Sequence, residues 1–124
     1  MTGDLILIVE DNEKNLKLAR DLLQYKGFRT LEANNATEGI ALAERHAPAL
    51  VLMDIQLPDM DGITALGKLR GSPATAEIPV VALTAFAMAA DQKRLLAAGF
   101  DGYLSKPIDI HDFSDQVRRY CERP

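Results

Sequence analysis

Leu50-Val-Leu-Met-Asp-Ile-Gln-Leu-Pro58 decides the fold: four aliphatic residues run without interruption and a carboxylate, Asp54, follows at once. A strand covered by helices on both faces reads as such a continuous run, whereas a strand wetted on one face alternates. Working outward, Leu5-Ile-Leu-Ile-Val9 ends at Glu10-Asp11, Val80-Val-Ala-Leu83 ends at Thr84, and Tyr103-Leu-Ser105 ends at Lys106. The remaining run, Phe28-Arg-Thr-Leu-Glu-Ala33, mixes charge with apolar residues. It suits a sheet edge, as does the short Tyr103–Ser105 run.

Stretches with helical spacing separate these runs, which is the pattern of repeated βα units around a parallel sheet. The first helix carries Leu16, Ala19, Leu22 and Leu23, with Asn12 as N-cap and Gly27 as its stop. The second uses Ala36, Ile40 and Ala43, and the third Ile63, Leu66 and Leu69 despite Gly67 in its interior. The fourth spans about Met88 to Ala98 before Gly99, and the fifth is expected to present Ile110, Phe113 and Val117 on one face. The segment Gly71–Pro79 reads as the only sizeable loop. The expected architecture is α/β: a (βα)5 doubly wound parallel sheet in strand order 2-1-3-4-5, with the aliphatic runs central.

At 124 residues the chain is expected to form a single domain, 1–124, with no output domain. A formal charge of −4 without clustered Lys or Arg argues against nucleic acid as a partner. No apolar run is long enough for a membrane span or signal segment, and Cys121 stands alone, so a cytoplasmic location is expected. His46 and His111 lie away from every strand end and read as surface residues.

In an open α/β sheet, ligands bind beyond the carboxyl ends of the strands where the strand order reverses. Order 2-1-3-4-5 puts the first and third strands side by side there, so Glu10, Asp11 and Asp54 share one crevice. Like charges this close need a cation, and an all-oxygen donor set suits Mg²⁺ better than Zn²⁺. Successive residues point oppositely, making Asp11 the expected direct ligand and Glu10 an assisting one. Asp54 is the candidate nucleophile for a phosphoryl group, with Thr84 as hydroxyl donor and Lys106 as fixed cation.

The ordered set Ile8-Val-Glu-Asp-Asn12, Leu52-Met-Asp-Ile-Gln-Leu-Pro58 with Met60-Asp-Gly62, Val81-Ala-Leu-Thr-Ala85 and Tyr103-Leu-Ser-Lys-Pro107 resembles the receiver domain of bacterial two-component response regulators, the CheY-like superfamily with its flavodoxin-like fold. The resemblance covers essentially the whole chain. It implies that Asp54 takes phosphate from a histidine kinase or histidine phosphotransfer protein in an Mg²⁺-dependent reaction. It further implies that the Gln56 backbone carbonyl joins the metal ligands, that Thr84 and Tyr103 form a switch pair, and that the Lys106–Pro107 bond is cis. The phrases Met53-Asp-Ile-Gln-Leu-Pro58, Ile78–Met88 and Leu104-Ser-Lys-Pro-Ile108 most resemble stand-alone regulators of the DivK type and receivers appended to hybrid kinases.

Five successive apolar residues, Phe86-Ala-Met-Ala-Ala90, cannot all face inward on one helix. Phe86, Met88, Ala89, Ala90 and Tyr103 are therefore the expected surface for a downstream protein target. The resemblance implies that Gln56 and Phe86, two residues past Asp54 and Thr84, flank the phosphoryl group and influence water access. Because Phe86 is bulky and offers no group to orient water, slow autodephosphorylation is expected, in a protein that is otherwise no enzyme. Two rival classes share the general layout. An aspartate-nucleophile phosphatase requires a second Asp where Gln56 stands, and a flavodoxin-like electron carrier requires a phosphate-binding loop where Glu10-Asp11-Asn12 would repel the flavin phosphate.

Overall fold

The computed structural model describes residues 3–85 and 89–122. Its elements are β1 (Leu5–Val9), α1 (Glu13–Tyr25), β2 (Arg29–Ala33), α2 (Ala36–His46), β3 (Leu50–Asp54), α3 (Gly62–Arg70), β4 (Val80–Thr84), α4 (Ala89–Ala98), β5 (Gly102–Ser105) and α5 (Phe113–Cys121). All strand pairs are parallel, in the order β2-β1-β3-β4-β5. This is the expected topology, with the mixed and short strands at the two edges. Every residue of β3 and β4 and all but the first of β1 are buried, which explains why those three runs lack alternation.

Side-chain alternation divides the core in two. Leu7, Val9, Val51, Met53, Val80 and Ala82 pack with Ala36, Ala43, Leu66, Leu69 and Leu95, joining the sheet to α2, α3 and α4. Ile6, Ile8, Leu50, Leu52, Val81, Leu83 and Leu104 pack with Ala19, Leu23, Phe113 and Val117, joining the other face to α1 and α5. Asn12 caps α1 by accepting from Asn15 N at 3.1 Å, and Gly27 turns the chain at φ 94°, as the sequence predicts.

Two local expectations are corrected. Ile110 is 57% exposed and lies outside α5, because the Asp109 carboxylate and carbonyl accept the N–H groups of His111 and Phe113 and hold a turn there. Ile108 enters the core instead. Gly71–Pro79 is also not the only sizeable connection, since Ile55–Asp61 and Lys106–Asp112 are seven residues each. The long segment is itself tethered. Thr75 Oγ1 donates to Leu69 O at 2.6 Å, and Arg70 donates to Ile78 O at 2.6 Å and to Asp101 Oδ2 at 2.8 Å.

Close approach fixes how the helices sit near the strand ends. A Cβ on Gly39 would lie 2.7 Å from Val9 Cγ2, and one on Gly62 would lie 2.7 Å from Ile55 Cα. Gly67, by contrast, faces open space. Gly67→Ala is expected to raise stability by up to about 1 kcal/mol through helix propensity. Gly62→Ala is expected to lower it by about 1–3 kcal/mol through backbone overpacking. Urea unfolding checks both, and an unchanged midpoint for Gly62→Ala would contradict the packing argument.

Candidate phosphoacceptor and metal site

β1 and β3 end side by side at the point where strand order reverses, and each ends in acid. Glu10 extends β1 by one residue, its N–H donating to Ala33 O at 2.9 Å, and its side chain is 1% exposed. Asp54, the last residue of β3, is 4% exposed. Asp11 is exposed beside them. One carboxylate oxygen from each of the three lies within 4.8 Å of the others.

Lys106 reaches this cluster across β4. Its ammonium lies 2.9 Å from Asp54 Oδ2 and 2.8 Å from Glu10 Oε1. Its backbone is tied to the end of β4 by its own N–H, which donates to Thr84 O at 2.7 Å, and the Lys106–Pro107 bond that follows is cis, as the resemblance implies. The second oxygens are also engaged: Asp54 Oδ1 accepts Gln56 N–H at 2.9 Å, and Glu10 Oε2 accepts Asn12 N–H at 3.1 Å.

These contacts set the acid–base character of the cluster. Burial pushes the Glu10 carboxyl up, its contact with Asp54 adds to the rise, and the Lys106 and Asn12 contacts only partly oppose it. Burial alone would lower the Lys106 ammonium, but the two carboxylates outweigh it and hold the group above its usual range. Three carboxylates and one ammonium leave a formal charge of −2. An all-oxygen donor set with that residual charge fits a hard divalent cation such as Mg²⁺.

Thr84, the last residue of β4, is 1% exposed. It follows the same alternation as Val80 and Ala82, on the α2–α3–α4 side, whereas Glu10 and Asp54 continue the α1–α5 side. Tyr103 is half-buried on β5 against that same cluster, in register with Ala82. Phe86 and Met88 lie outside the described residues; Ala89 and Ala90 open α4.

The β3–α3 loop carries a residue that the sequence did not single out. Asp59 Oδ1 accepts Ala36 N–H at 2.8 Å, and Oδ2 accepts Thr37 N–H at 2.8 Å and the Thr37 hydroxyl at 2.6 Å. These bonds hold its carboxyl down to about 2, the Thr37 hydroxyl contributing most. A polar residue following Pro58 in a loop was the only available signal, and it did not reveal a partner two elements away.

Lys106→Met should leave Glu10 and Asp54 facing each other without their shared cation. Stability at neutral pH and without divalent ions is expected to fall by about 3 kcal/mol. Part should return on mild acidification, because a folded-state carboxyl with raised proton affinity gains stability as pH falls. Urea unfolding across pH checks this. The depressed Asp59 carboxyl has the opposite sign: its contribution is fully present above the ordinary value of 3.8 and is lost as pH falls through about 2. The Tm gap between wild type and Asp59→Asn should therefore stay constant near neutrality and close on strong acidification, as thermal unfolding monitored by circular dichroism would reveal.

Comparison with known proteins places these features. The family model for the response regulator receiver domain matches residues 6–118. The chain is 43% identical over 115 residues to the polar-differentiation response regulator DivK of Brucella anthropi, covering 93% of this chain and 94% of that protein. The receiver domain of a sensor histidine kinase from Pseudomonas aeruginosa, solved with a magnesium ion coordinated in its active site cleft, superposes with a TM-score of 0.89 at 31% identity, covering 98% of this chain and all of that one. The chemotaxis response regulator CheY4 of Vibrio cholerae shares the fold, with a TM-score of 0.90 at 22% identity over 96% of this chain and 99% of that one. With a five-stranded parallel sheet in order 2-1-3-4-5 and an acidic crevice at its reversal point, this chain belongs to the response regulator receiver domains of two-component signalling.

Proposed function

We propose that this protein is a phosphorylation-dependent switch that accepts a phosphoryl group on Asp54 and signals by protein–protein contact as a single receiver domain spanning residues 1–124. The observation that carries the reading is the Lys106 ammonium held between Glu10 and Asp54 at the mouth of an acidic crevice. A surface salt bridge needs no such burial, and two carboxylates sharing one ammonium still carry excess negative charge.

Glu10, Asp11, Asp54 and the Gln56 backbone carbonyl would hold Mg²⁺, which when bound neutralises the carboxylates and the oxygens of an incoming phosphoryl group. The similarity to the magnesium-bound receiver from Pseudomonas aeruginosa supports this assignment. The donor is a phosphohistidine on a histidine kinase or histidine phosphotransfer protein. An Asp54 oxygen attacks phosphorus, the P–N bond breaks, and its electron pair stays with the leaving imidazole. Lys106, already 2.9 Å from Asp54 Oδ2, supplies positive charge to the transferring oxygens, and the Gln56 N–H steadies Asp54 Oδ1. The Thr84 hydroxyl donates to the phosphoryl group once it is in place.

Signal output follows from the parity of Thr84. It lies on the α4 side of the sheet, so movement toward the crevice opens space that Tyr103 can fill, changing the face formed by α4, β5 and α5. That face includes Leu96, 48% exposed, and a cavity of about 310 Å³ bordered by Tyr103, Leu104, Gln116, Arg119 and Tyr120. It is the proposed docking surface for the downstream protein. The likeness to DivK over nearly the full length of both chains supports a regulator of that type.

Incubation with acetyl phosphate and Mg²⁺ followed by intact mass measurement is expected to add one phosphoryl group to wild type, and none to Asp54→Asn or to wild type in EDTA. Wild type that remains unmodified would overturn the proposed function.

A further inference from the structure

The acidic crevice draws its donors from two pieces of backbone that no strand pairing holds together beyond their roots. Glu10 and Asp11 follow β1, while Gln56 lies in the loop after β3. That loop is closed at its base, where Gly62 N–H donates to Ile55 O at 3.0 Å and Gln56 bridges Asp61. Its far part, Leu57 to Met60, has one hydrogen-bonded tether to the rest of the described protein. That tether is the Asp59 carboxylate on the first turn of α2.

α2 did not need Asp59 for an ordinary cap. Asn35 already accepts Glu38 N–H at 2.8 Å with its side chain and Gly39 N–H at 3.1 Å with its carbonyl. Asp59 takes the two remaining amides, of Ala36 and Thr37, from more than twenty residues away. The helix it grips is locked to the acidic pair on both sides. Gly39 sits against Val9, leaving no room for a methyl group, and Ala33, just before the turn into α2, accepts the Glu10 N–H. Acidic pair, α2 and β3–α3 loop therefore form a closed triangle of contacts, with Asp59 as its third side.

We propose that Asp59 is a positioning residue: by locking the β3–α3 loop onto α2, it fixes the spacing between the Gln56 backbone and the Glu10–Asp11 acidic pair. The proposal rests on the reading that these groups together hold Mg²⁺. Asp59 itself touches neither ion nor phosphate. Its effect is transmitted through Thr37 and the first turn of α2, so Thr37→Val, which removes one of the three bonds and keeps the side-chain volume, acts in the same sense.

Two measurements test this on the full chain, well below the unfolding temperature. In hydrogen exchange without metal, the Gln56 amide should exchange faster in Asp59→Ala and to a smaller extent in Thr37→Val. In calorimetric titration with Mg²⁺, Asp59→Ala should bind about 10-fold more weakly than wild type, in the range expected when a group supporting metal ligands is lost, with Asp59→Asn intermediate because it retains one acceptor oxygen. A cap serving only α2 would lower Tm while leaving both readouts alone. Unchanged Gln56 exchange in both variants, or an Mg²⁺ affinity within about twofold of wild type in Asp59→Ala, overturns the proposal. Asp11→Asn separates the two ideas: it should abolish Mg²⁺ binding and leave Gln56 exchange intact. Wild type that fails to bind Mg²⁺ overturns the metal reading and with it the metal half of this proposal, while the exchange experiment still decides the clamp.

Discussion

Everything at the functional end of this molecule depends on one electrostatic imbalance: two buried carboxylates, Glu10 and Asp54, face a single ammonium, Lys106, with a third carboxylate, Asp11, beside them. A buried ion pair adds little stability beyond what apolar side chains of similar volume would provide, and an unbalanced one is worse. A chain selected for stability alone would not put Glu10 at 1% exposure next to Asp54. The sheet tolerates it because the oxygens are held by Lys106, by the Gln56 and Asn12 amides and, on the proposed reading, by Mg²⁺. The parallel sheet makes the imbalance possible, since it alone brings the ends of β1, β3 and β5 to the same side.

The same imbalance sets the energy scale of the proposed switch. Moving a two-state population from 1:99 to 99:1 takes roughly 5.5 kcal/mol of differential binding. Hydrogen bonds to charged groups contribute about 1.5–3 kcal/mol each. New contacts from Thr84 and Lys106 to a phosphoryl group therefore have the required size only if both form together. Lys106 is already committed to Glu10 and Asp54, so part of its gain is offset by contacts it loosens. That leaves Thr84, which starts on the other face of the sheet, as the group whose contact distinguishes the two states most strongly.

Much of this was legible in the sequence, for identifiable reasons. Strands β1, β3 and β4 are buried on both faces and so appear as unbroken aliphatic runs, while β2 carries Arg29 and Glu32 because it is an edge. The residues at the strand ends stand where the runs stop, so their convergence followed from strand order. What stayed hidden depends on side chains meeting across elements. Lys106 was expected to reach Asp54, yet its equal contact with Glu10, at 2.8 Å, leaves no mark in the spacing of the runs. Asp59 and Arg70 act through backbone groups of α2 and of the α3–β4 and α4–β5 connections, which leave no periodic trace. Ile110 failed for a different reason: Ile110, Phe113 and Val117 do have helical spacing, but the Asp109 turn breaks the period between the first two.

On the proposed function, the two faces of the sheet divide the labour between chemistry and readout. Glu10 and Asp54 continue the alternation that packs α1 and α5, and Thr84 continues the one that packs α2, α3 and α4. A residue of the first parity can be altered by phosphorylation without any helix on the far side sensing it, because β3 and β4 are fully buried and packed between the two clusters. Communication needs a side chain at the rim, where the sheet ends and the two parities meet in one crevice. Thr84 is the rim residue of β4, the strand between Asp54 and Lys106, and its parity matches that of Ala82, the register partner of Tyr103. A hydroxyl at that position is small enough to turn toward the crevice without disturbing β4. That makes the strand end, rather than the sheet interior, the place where a phosphorylation event can become a change in surface.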